Sequence, residues 1–124
     1  MQKNFLEKAK ENLKIAQISF ANECYNACAN RAYYAAFQAA IAALSDKGIS
    51  KGKFEHKWVQ AEFNGKLIKR QKLYPGRLKS YLMEMQFLRN TADYDCEPVS
   101  RKDAQDQLRK ADELVGFVRK DMEK

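Results

Sequence analysis

Arg89 is the residue whose type and position most clearly suggest chemistry. Leu82 and Met85 precede it at three- and four-residue spacing, so the helical pattern predicts an apolar side chain at its position. Asp93 follows one turn later on the same face, and Tyr94 adds a hydroxyl beside it. Two interpretations stay open: a buried ion pair that fixes the helix register, or a guanidinium that binds phosphate through its planar fork.

A second arginine, Arg31, lies within an alanine-rich stretch. Four polar side chains recur there every four residues, on one side of a helix that otherwise requires burial: Asn26, Asn30, Tyr34 and Gln38. Either these side chains hydrogen-bond to neighbouring helices, as nearly all buried polar groups do, or they line a cleft. In a cleft, Arg31 and Tyr34 become ligand-binding candidates.

Positive charge is concentrated in the middle third of the chain. The net charge is +7, and residues 47–79 carry ten basic residues against two glutamates, a balance of +8. Lys57, Lys69 and Arg70 are the candidates there for contacts with an anion. Four aromatic residues are interleaved with the cations, a combination typical of surfaces that bind a phosphate backbone and stack bases: Phe54, Trp58, Phe63 and Tyr74. The alternative is a solvated surface whose aromatic residues pack inward.

His56 is the only histidine, so acid–base chemistry that needs an imidazole has one candidate. It lies beside Lys57 and far from Arg89 in sequence. This place favours a surface or capping histidine, with a ligand contact as the alternative.

Three cysteines, Cys24, Cys28 and Cys96, leave one over if any two pair. We therefore expect reduced thiols, small enough to be buried in the core, rather than a disulfide framework. A structural zinc site brings its ligands in tight pairs, and only one close pair occurs here. We predict neither a metal nor another cofactor.

The elements that position these residues are helices, because the apolar spacing is helical along most of the chain. Five are expected: one with a stripe from Leu6 to Phe20, then Glu23 to Lys47, Glu55 to Gln71, a fourth after the Pro75–Gly76 turn, and a fifth capped by Ser100. The second, capped by Asn22 and stopped at Gly48, is rich in alanine and should be central. The prediction is an all-α, single-domain, up-and-down bundle over residues 1–124.

Length and composition limit the class of protein. A chain of 124 residues supports one hydrophobic core, and 45% hydrophobic residues exclude a disordered chain. The longest weakly polar stretch has 13 residues, whereas a bilayer-spanning helix needs about 20. The charged first residues lack a leader pattern, so we expect a soluble, cytoplasmic protein.

Three separated motifs resemble the prokaryotic HEPN domain proteins. The run from Tyr25 to Ala40 is similar to their second helix, in the branch where an Arg-x-Tyr-Tyr-Ala core is typical. His56 lies where that branch often has a histidine before its third helix. Residues 89–94, Arg-Asn-Thr-Ala-Asp-Tyr, are similar to its Arg-x-x-Ala-Asp-Tyr motif, and the helix around Ala111 matches the last one. The resemblance covers nearly the full chain.

The resemblance implies a helical bundle that usually forms a homodimer. Its genes often lie beside a minimal nucleotidyltransferase, with which the protein forms a toxin–antitoxin pair. In active members an arginine is followed, after four to six residues, by a histidine, and two such motifs meet in a dimer cleft as a metal-independent ribonuclease. Arg89 matches the arginine, but Tyr94 and Cys96 occupy the outer limits of the spacing allowed for the histidine.

The prediction is therefore a non-catalytic or weakly catalytic module that binds RNA or a nucleotide. It would bind this ligand through the basic segment, residues 47–79, and through a cleft formed by Arg31, Tyr34 and Arg89. The first alternative is an active ribonuclease toxin that uses Arg89 with Asp93, Tyr94 or His56. The second is a purely structural dimer subunit that binds no nucleic acid.

Overall fold

The structure is a computed structural model that describes the backbone of residues 2–123 and the side chains of residues 4–123. Its elements in chain order are α1 (Gln2–Ala21), α2 (Tyr25–Asp46), α3 (His56–Glu62), a π-helix (Phe63–Arg70), a short 3₁₀ helix (Gly76–Ser80), α4 (Tyr81–Tyr94) and α5 (Arg101–Met122). No strand occurs within residues 2–123. The predicted all-α bundle of five helices is confirmed.

The alanine-rich helix α2 is the centre of the bundle, as predicted. It packs against α1, α5 and α4. Eight of its alanines are buried, at positions 29, 32, 35, 36, 39, 40, 42 and 43. Small side chains let the neighbouring helices approach closely, and the larger buried Tyr33 and Phe37 fill the remaining space.

The ends of two helices follow the predicted chemistry. Gly48 has φ +77°, and the amides of Gly48 and Ile49 donate to the carbonyls of Ser45 and Leu44, which is a Schellman motif after α2. Ser100 caps α5, because its Oγ accepts a hydrogen bond of 3.0 Å from the Asp103 amide. Both caps fix where the central and last helices stop and start.

The predicted cap of α2 is wrong. Asn22 donates from Nδ2 to the Ile18 carbonyl at 2.8 Å, at the end of α1. Cys24 takes the N-cap position without a side-chain capping bond. Glu23 has φ +61°, a left-handed conformation that cannot continue a helix, so α2 begins at Tyr25 rather than at Glu23.

The third helical stretch changes type at Phe63. The α-helical part continues as a π-helix that carries Gly65, and the Gln71 amide donates to the Lys66 carbonyl five residues back. The prediction is thus right in extent and incomplete in type. His56 is the first residue of this continuous helical segment and Arg70 is the last.

Helix α5 carries one polar side chain in the core that sequence analysis missed. Gln107 is 2% exposed, and its Nε2 donates to the carbonyls of Ala29 (3.2 Å) and Met85 (2.8 Å). It therefore joins α5 to α2 and α4. The only signal in the sequence is its spacing of three and four residues from the buried Ala104 and Ala111.

Candidate functional site

Two arginines from different helices lie against one tyrosine ring. Tyr34 of α2 has the Arg31 Cζ at 5.4 Å and the Arg89 Cζ at 5.3 Å from its ring centroid. Arg89 Nη2 also donates to the Tyr34 hydroxyl at 2.8 Å, which joins α4 to α2. We name Arg31, Tyr34 and Arg89 the guanidinium cluster. The structure thus brings together the three residues that the sequence predicted for a cleft.

Asp93 supplies the negative charge beside the guanidinium cluster. Arg89 Nε lies 3.1 Å from Asp93 Oδ2, and the two side chains are 18% and 27% exposed. This Nε–H is not aligned with an acceptor, so Asp93 contributes its charge rather than a directed hydrogen bond. The predicted Arg89–Asp93 ion pair is present.

Asn30 links Asp93 to the second arginine. Its Nδ2 lies 3.2 Å from both carboxylate oxygens of Asp93, and its Oδ1 accepts from Arg31 Nε at 2.9 Å. Arg31 also donates to Asn12 Oδ1 at 3.3 Å, and among residues 4–123 it has no carboxylate partner. Asp93 therefore pairs directly with Arg89 and reaches Arg31 only through Asn30, so two guanidiniums face one carboxylate and the cluster stays positive.

The polar residues along α2 hydrogen-bond to neighbouring elements. Asn26 accepts from the Val99 amide at 2.8 Å, and Gln38 accepts from Asn12 at 2.7 Å. With Asn30 bound to Asp93 and Tyr34 to Arg89, each member of the series has a partner outside α2. The interpretation as a series of hydrogen-bonded side chains is confirmed, and Tyr34, its third member, belongs to the guanidinium cluster.

His56 lies in a stack of aromatic rings beside the guanidinium cluster. Its ring centroid is 4.4 Å from that of Phe37 and 5.5 Å from that of Tyr33, both nearly parallel, and 6.5 Å from that of Tyr34. His56 Nδ1 is hydrogen-bonded to the Tyr33 hydroxyl. The expectation of a surface or capping histidine is wrong, because the chain returns after α2 and inserts the imidazole between helices.

The surroundings of His56 set its charge. Burial, and to a smaller extent the positive charge of Arg89, lower the pKa of His56 below its ordinary value of 6.5. Burial raises the pKa of the Tyr33 phenol, so that hydroxyl keeps its proton. The imidazole is therefore neutral at neutral pH, with Nδ1 bound to Tyr33 and no partner within residues 4–123 at Nε2.

A cavity of about 570 Å³ opens beside His56. The first part of α3 and the segment before it form most of its wall, with one residue from α4: Lys53, Phe54, Glu55, His56, Lys57, Gln60 and Gln86. Gln60 Nε2 donates to Gln86 Oε1 at 2.7 Å, which closes the side between α3 and α4. The cavity is next to the guanidinium cluster because His56 contacts the Tyr34 ring.

Comparison with known proteins matches this fold to one family. The HEPN domain family matches residues 2–121. A UPF0332 protein of Thermotoga maritima is 32% identical over 114 residues, which cover 91% of this chain and 84% of that protein. The chain belongs to the HEPN family. This membership supports a nucleotide- or RNA-related module, and the sequence resemblance to HEPN proteins is confirmed.

Three of the predicted site residues of this HEPN domain are among neither the contacts of the guanidinium cluster nor the residues of the cavity wall. Tyr94 is 76% exposed. Lys69 and Arg70 are exposed at the end of the π-helix. A helical rise of about 1.5 Å per residue puts them roughly 20 Å from His56. Lys57 does lie beside His56, in the wall of the cavity.

The basic segment of this HEPN domain is partly neutralised. Lys47, Lys66 and Arg77 form ion pairs with Asp121, Glu62 and Glu113 respectively. Phe63 and Tyr74 are buried and stack on each other at 5.4 Å, so they are inaccessible to nucleobases. For these two rings the prediction of base stacking is wrong, and the inward-packing alternative is confirmed. Phe54 and Trp58 are half-buried against each other.

The cysteines of the HEPN domain divide by position. Cys28 is buried in α2, as predicted, and burial raises the pKa of its thiol to about 11. Cys24 and Cys96 are exposed, so the prediction of buried thiols is wrong for them. Both lie in connections between helices, where the chain faces solvent. Within residues 2–123, no helix is long and apolar enough to cross a membrane.

Proposed function

We propose that this HEPN protein is a module that binds RNA or a nucleotide, with a phosphate held at the guanidinium cluster. The observation that carries the proposal is the arrangement of two guanidiniums around one tyrosine ring with a single carboxylate, which pairs with Arg89. Such a cluster keeps a net positive charge, and N–H donors that have no partner among residues 4–123, at a partly buried position. Bidentate guanidinium contacts suit phosphate better than a lysine point charge does.

The proposal keeps Lys57, Lys69 and Arg70 as outer contacts. Lys57 lies beside His56 in the cavity wall, whereas Lys69 and Arg70 extend the positive surface along the π-helix. The proposed module is one domain over its length, without a cofactor, with the cytoplasm as its expected location. Exposed cations contribute to binding by releasing counterions from the nucleic acid, so they add affinity without sequence preference.

The direct test incubates the purified protein with a mixed-sequence RNA at low salt, without added metal, and follows both binding and cleavage. Arg89→Ala should weaken binding about tenfold or more, because hydrogen bonds to charged groups contribute roughly 1.5–3 kcal/mol. Arg101→Ala is the matched control: its guanidinium lies 5.1 Å from the Phe20 ring, away from the cluster. Equal RNA affinity in both variants would contradict the proposal.

The second candidate function is a metal-independent ribonuclease. It is favoured by one observation: His56 and Arg89 lie against the same Tyr34 ring, at 6.5 and 5.3 Å. A neutral imidazole can accept the proton of a ribose 2′-hydroxyl, and the guanidinium can stabilise the charge that develops on phosphate. Asp93 and Tyr94 are the other acid–base candidates, but Asp93 is held by Arg89 and Asn30.

Cleavage separates the two candidates. A ribonuclease loses cleavage in His56→Asn while it still binds RNA, and Tyr94→Phe leaves cleavage unchanged. A binding module cleaves no RNA in any variant and is not toxic when it is produced alone. RNA binding without cleavage would support the binding module. The missing histidine in the Arg89 motif would then explain why the protein does not cleave RNA.

We also propose a homodimer and a nucleotidyltransferase partner in a toxin–antitoxin system. Met83, Phe87 and Tyr94 are 64%, 74% and 76% exposed and share one face of α4, which is the surface offered for such a contact. Light scattering of the purified chain measures the dimer, and Phe87→Glu should separate it. Co-purification with the neighbouring gene product tests the partner.

A further inference from the structure

Gly116 lies on the exposed side of α5, in the interior of that long helix. Glycine lowers the stability of a helix interior relative to alanine, so its presence there calls for an explanation. Its φ is not positive, and a methyl group placed on its Cα would meet no described atom within 4 Å. Neither the backbone conformation nor the packing of residues 4–123 therefore requires a glycine at this position.

Two adjoining cavities lie along this side of α5, and Gly116 and Lys120 line both of them. One has a volume of about 410 Å³ and extends toward Glu123, and the other has a volume of about 290 Å³ and extends toward Asp112. Phe117 adds a half-buried aromatic ring to the second cavity. The missing side chain of Gly116 thus leaves a shallow groove in which the backbone of another chain can come close to α5.

The charges on this side of α5 change sign about Gly116. Residues at equal distances before and after it, at three, four and seven positions, carry opposite charges: Glu113 and Arg119, Asp112 and Lys120, and Arg109 and Glu123. At 3.6 residues per turn, all six lie within about 60° of Gly116 around the helix. Asp112 and Lys120 are exposed and have no ion-pair partner among residues 4–123, whereas the other four form ion pairs within this chain.

A second copy of this chain fits that charge pattern. When two antiparallel helices cross at Gly116 about a two-fold axis, each residue before the glycine faces the residue at the same distance after it in the other copy. Asp112 then faces Lys120 of the second copy, and this contact occurs twice. Residues four apart form the ridges that interlock in the commonest class of helix packing, and Asp112, Gly116 and Lys120 lie on one such ridge.

We propose that the outer face of α5, centred on Gly116, is a self-association surface that binds a second copy of this chain in an antiparallel helix crossing. This surface is separate from the α4 face of Met83, Phe87 and Tyr94, and it does not depend on RNA binding. One helix crossing buries less area than a stable dimer needs, so the association is reversible and depends on concentration. Together with a dimer through α4, it builds assemblies larger than a dimer.

The test measures sedimentation velocity at low salt, from micromolar to millimolar protein. All variants are made in a Phe87→Glu parent, which removes the exposed ring of the α4 face, so that association reports on α5. Asp112→Lys and Lys120→Asp each place like charges opposite one another at two sites, and each should weaken self-association about tenfold or more. Lys14→Asp makes the same change at an exposed lysine of α1, and this matched control should associate as the parent does.

An equimolar mixture of the two charge variants is the decisive measurement. In a mixed pair, the two substituted residues face each other with opposite charges, and the natural Asp112 and Lys120 face each other at the second site. The mixture should therefore recover the association of the parent, although each variant alone does not associate. Salt should weaken the association of the parent, because exposed charges are screened. A mixture that stays monomeric, or a parent that is monomeric at every concentration, overturns the proposal.

Gly116→Leu tests the close approach of the two helices without a change of charge. Its side chain enters open space and leucine favours the helix, so the midpoint of thermal unfolding should equal or exceed that of the parent. The same side chain keeps the two helices apart, so self-association should be lost while the fold is retained. Association of Gly116→Leu as strong as that of the parent would overturn the proposal.

Discussion

The guanidinium cluster and the far end of the π-helix are both cationic, but they differ in how their charges are held. Arg31 and Arg89 are half-buried and bound by Tyr34, Asn30 and Asp93 through contacts from two helices. Lys69, Arg70 and Lys72, which we name the basic end, are exposed and have no carboxylate partner within residues 4–123. The first group has fixed geometry, and the second has only charge.

This difference teaches which cations can give specificity. A guanidinium that is already ordered by its neighbours loses little side-chain entropy when a phosphate binds, and it works at low local dielectric. A solvated lysine is screened within about 8 Å at physiological salt, so it attracts any polyanion. We expect the cluster to determine which ligand is bound and the basic end to determine how fast and how salt-dependently it is bound.

The sharpest test of this comparison is the stability of two variants. Arg89→Ala removes the ion-pair partner of Asp93 and the donor to the Tyr34 hydroxyl, so the free energy of unfolding should fall by about 1–3 kcal/mol. Lys69→Gln/Arg70→Gln should change it by less than about 0.5 kcal/mol, as surface substitutions do. Urea unfolding followed by circular dichroism measures both. Similar losses in the two variants would show that burial does not distinguish these regions.

A smaller effect is expected at the ring between the two arginines. Tyr34→Phe keeps the face for both guanidiniums and removes the hydroxyl that accepts from Arg89 Nη2. The free energy of unfolding should fall by about 1 kcal/mol, the typical net value of one hydrogen bond. Tyr25→Phe on the same helix is the control, because its ring packs on Phe20 and its hydroxyl has no hydrogen bond to residues 4–123. A loss in the control as large as in Tyr34→Phe would argue against the hydrogen bond.

The sequence predicted the fold and the cluster for a shared physical reason. Apolar spacing of three and four residues predicts helices, and a polar residue at an apolar position, such as Arg89, indicates a side chain that must have partners. The pairing of Arg89 with Asp93 needed only the geometry of one helix. Arg31 and Tyr34 lie on one helix and Arg89 on another. Helical spacing alone could not place them together, and only the family motifs suggested that they share a cleft.

What the sequence could not predict depends on the path of the chain between helices. The position of His56 beside Tyr34 is set by the segment between α2 and α3, where residues 47–55 follow no periodic pattern. The sequence could not show whether Phe63 and Tyr74 pack inward or stack on bases, because an aromatic residue among lysines is compatible with both. The N-terminal limit of α2 was missed because Glu23 adopts a positive φ, which glutamate rarely does.

The position of His56 gives a third test, through its proton. Because His56 is the only histidine, its ring-proton NMR signal can be titrated without overlap. The pKa should lie below 6.5, and Arg89→Gln should raise it only part of the way back, since burial is the larger cause. Arg109→Gln, a surface change on α5, should leave it unaltered. A pKa at or above 6.5 in the wild type would contradict the partly buried position of the imidazole beside Arg89.

The same proton affects stability. The unfolded chain has an ordinary histidine pKa near 6.5, so it binds more protons than the folded protein between that value and the lower folded pKa. The free energy of unfolding should therefore fall as the pH decreases below about 6.5, and it should be insensitive to this group above that pH. His56→Gln should remove this part of the pH dependence. Chemical unfolding at closely spaced pH values measures it.

The smallest effect is expected at the basic end, in the salt dependence of RNA binding. Lys69→Gln/Arg70→Gln should weaken binding at low salt and reduce the slope of log affinity against log salt by about 0.7 for each lost phosphate contact. At high salt its affinity should approach that of the wild type, because screened charges contribute little. Arg31→Gln is the counterpart in the cluster: its weaker binding should persist at high salt, since Arg31 is half-buried against Tyr34 and Asn30. If the loss in Arg31→Gln also disappears at high salt, the two regions act by charge alone, and the distinction between ordered and solvated cations does not hold for this protein.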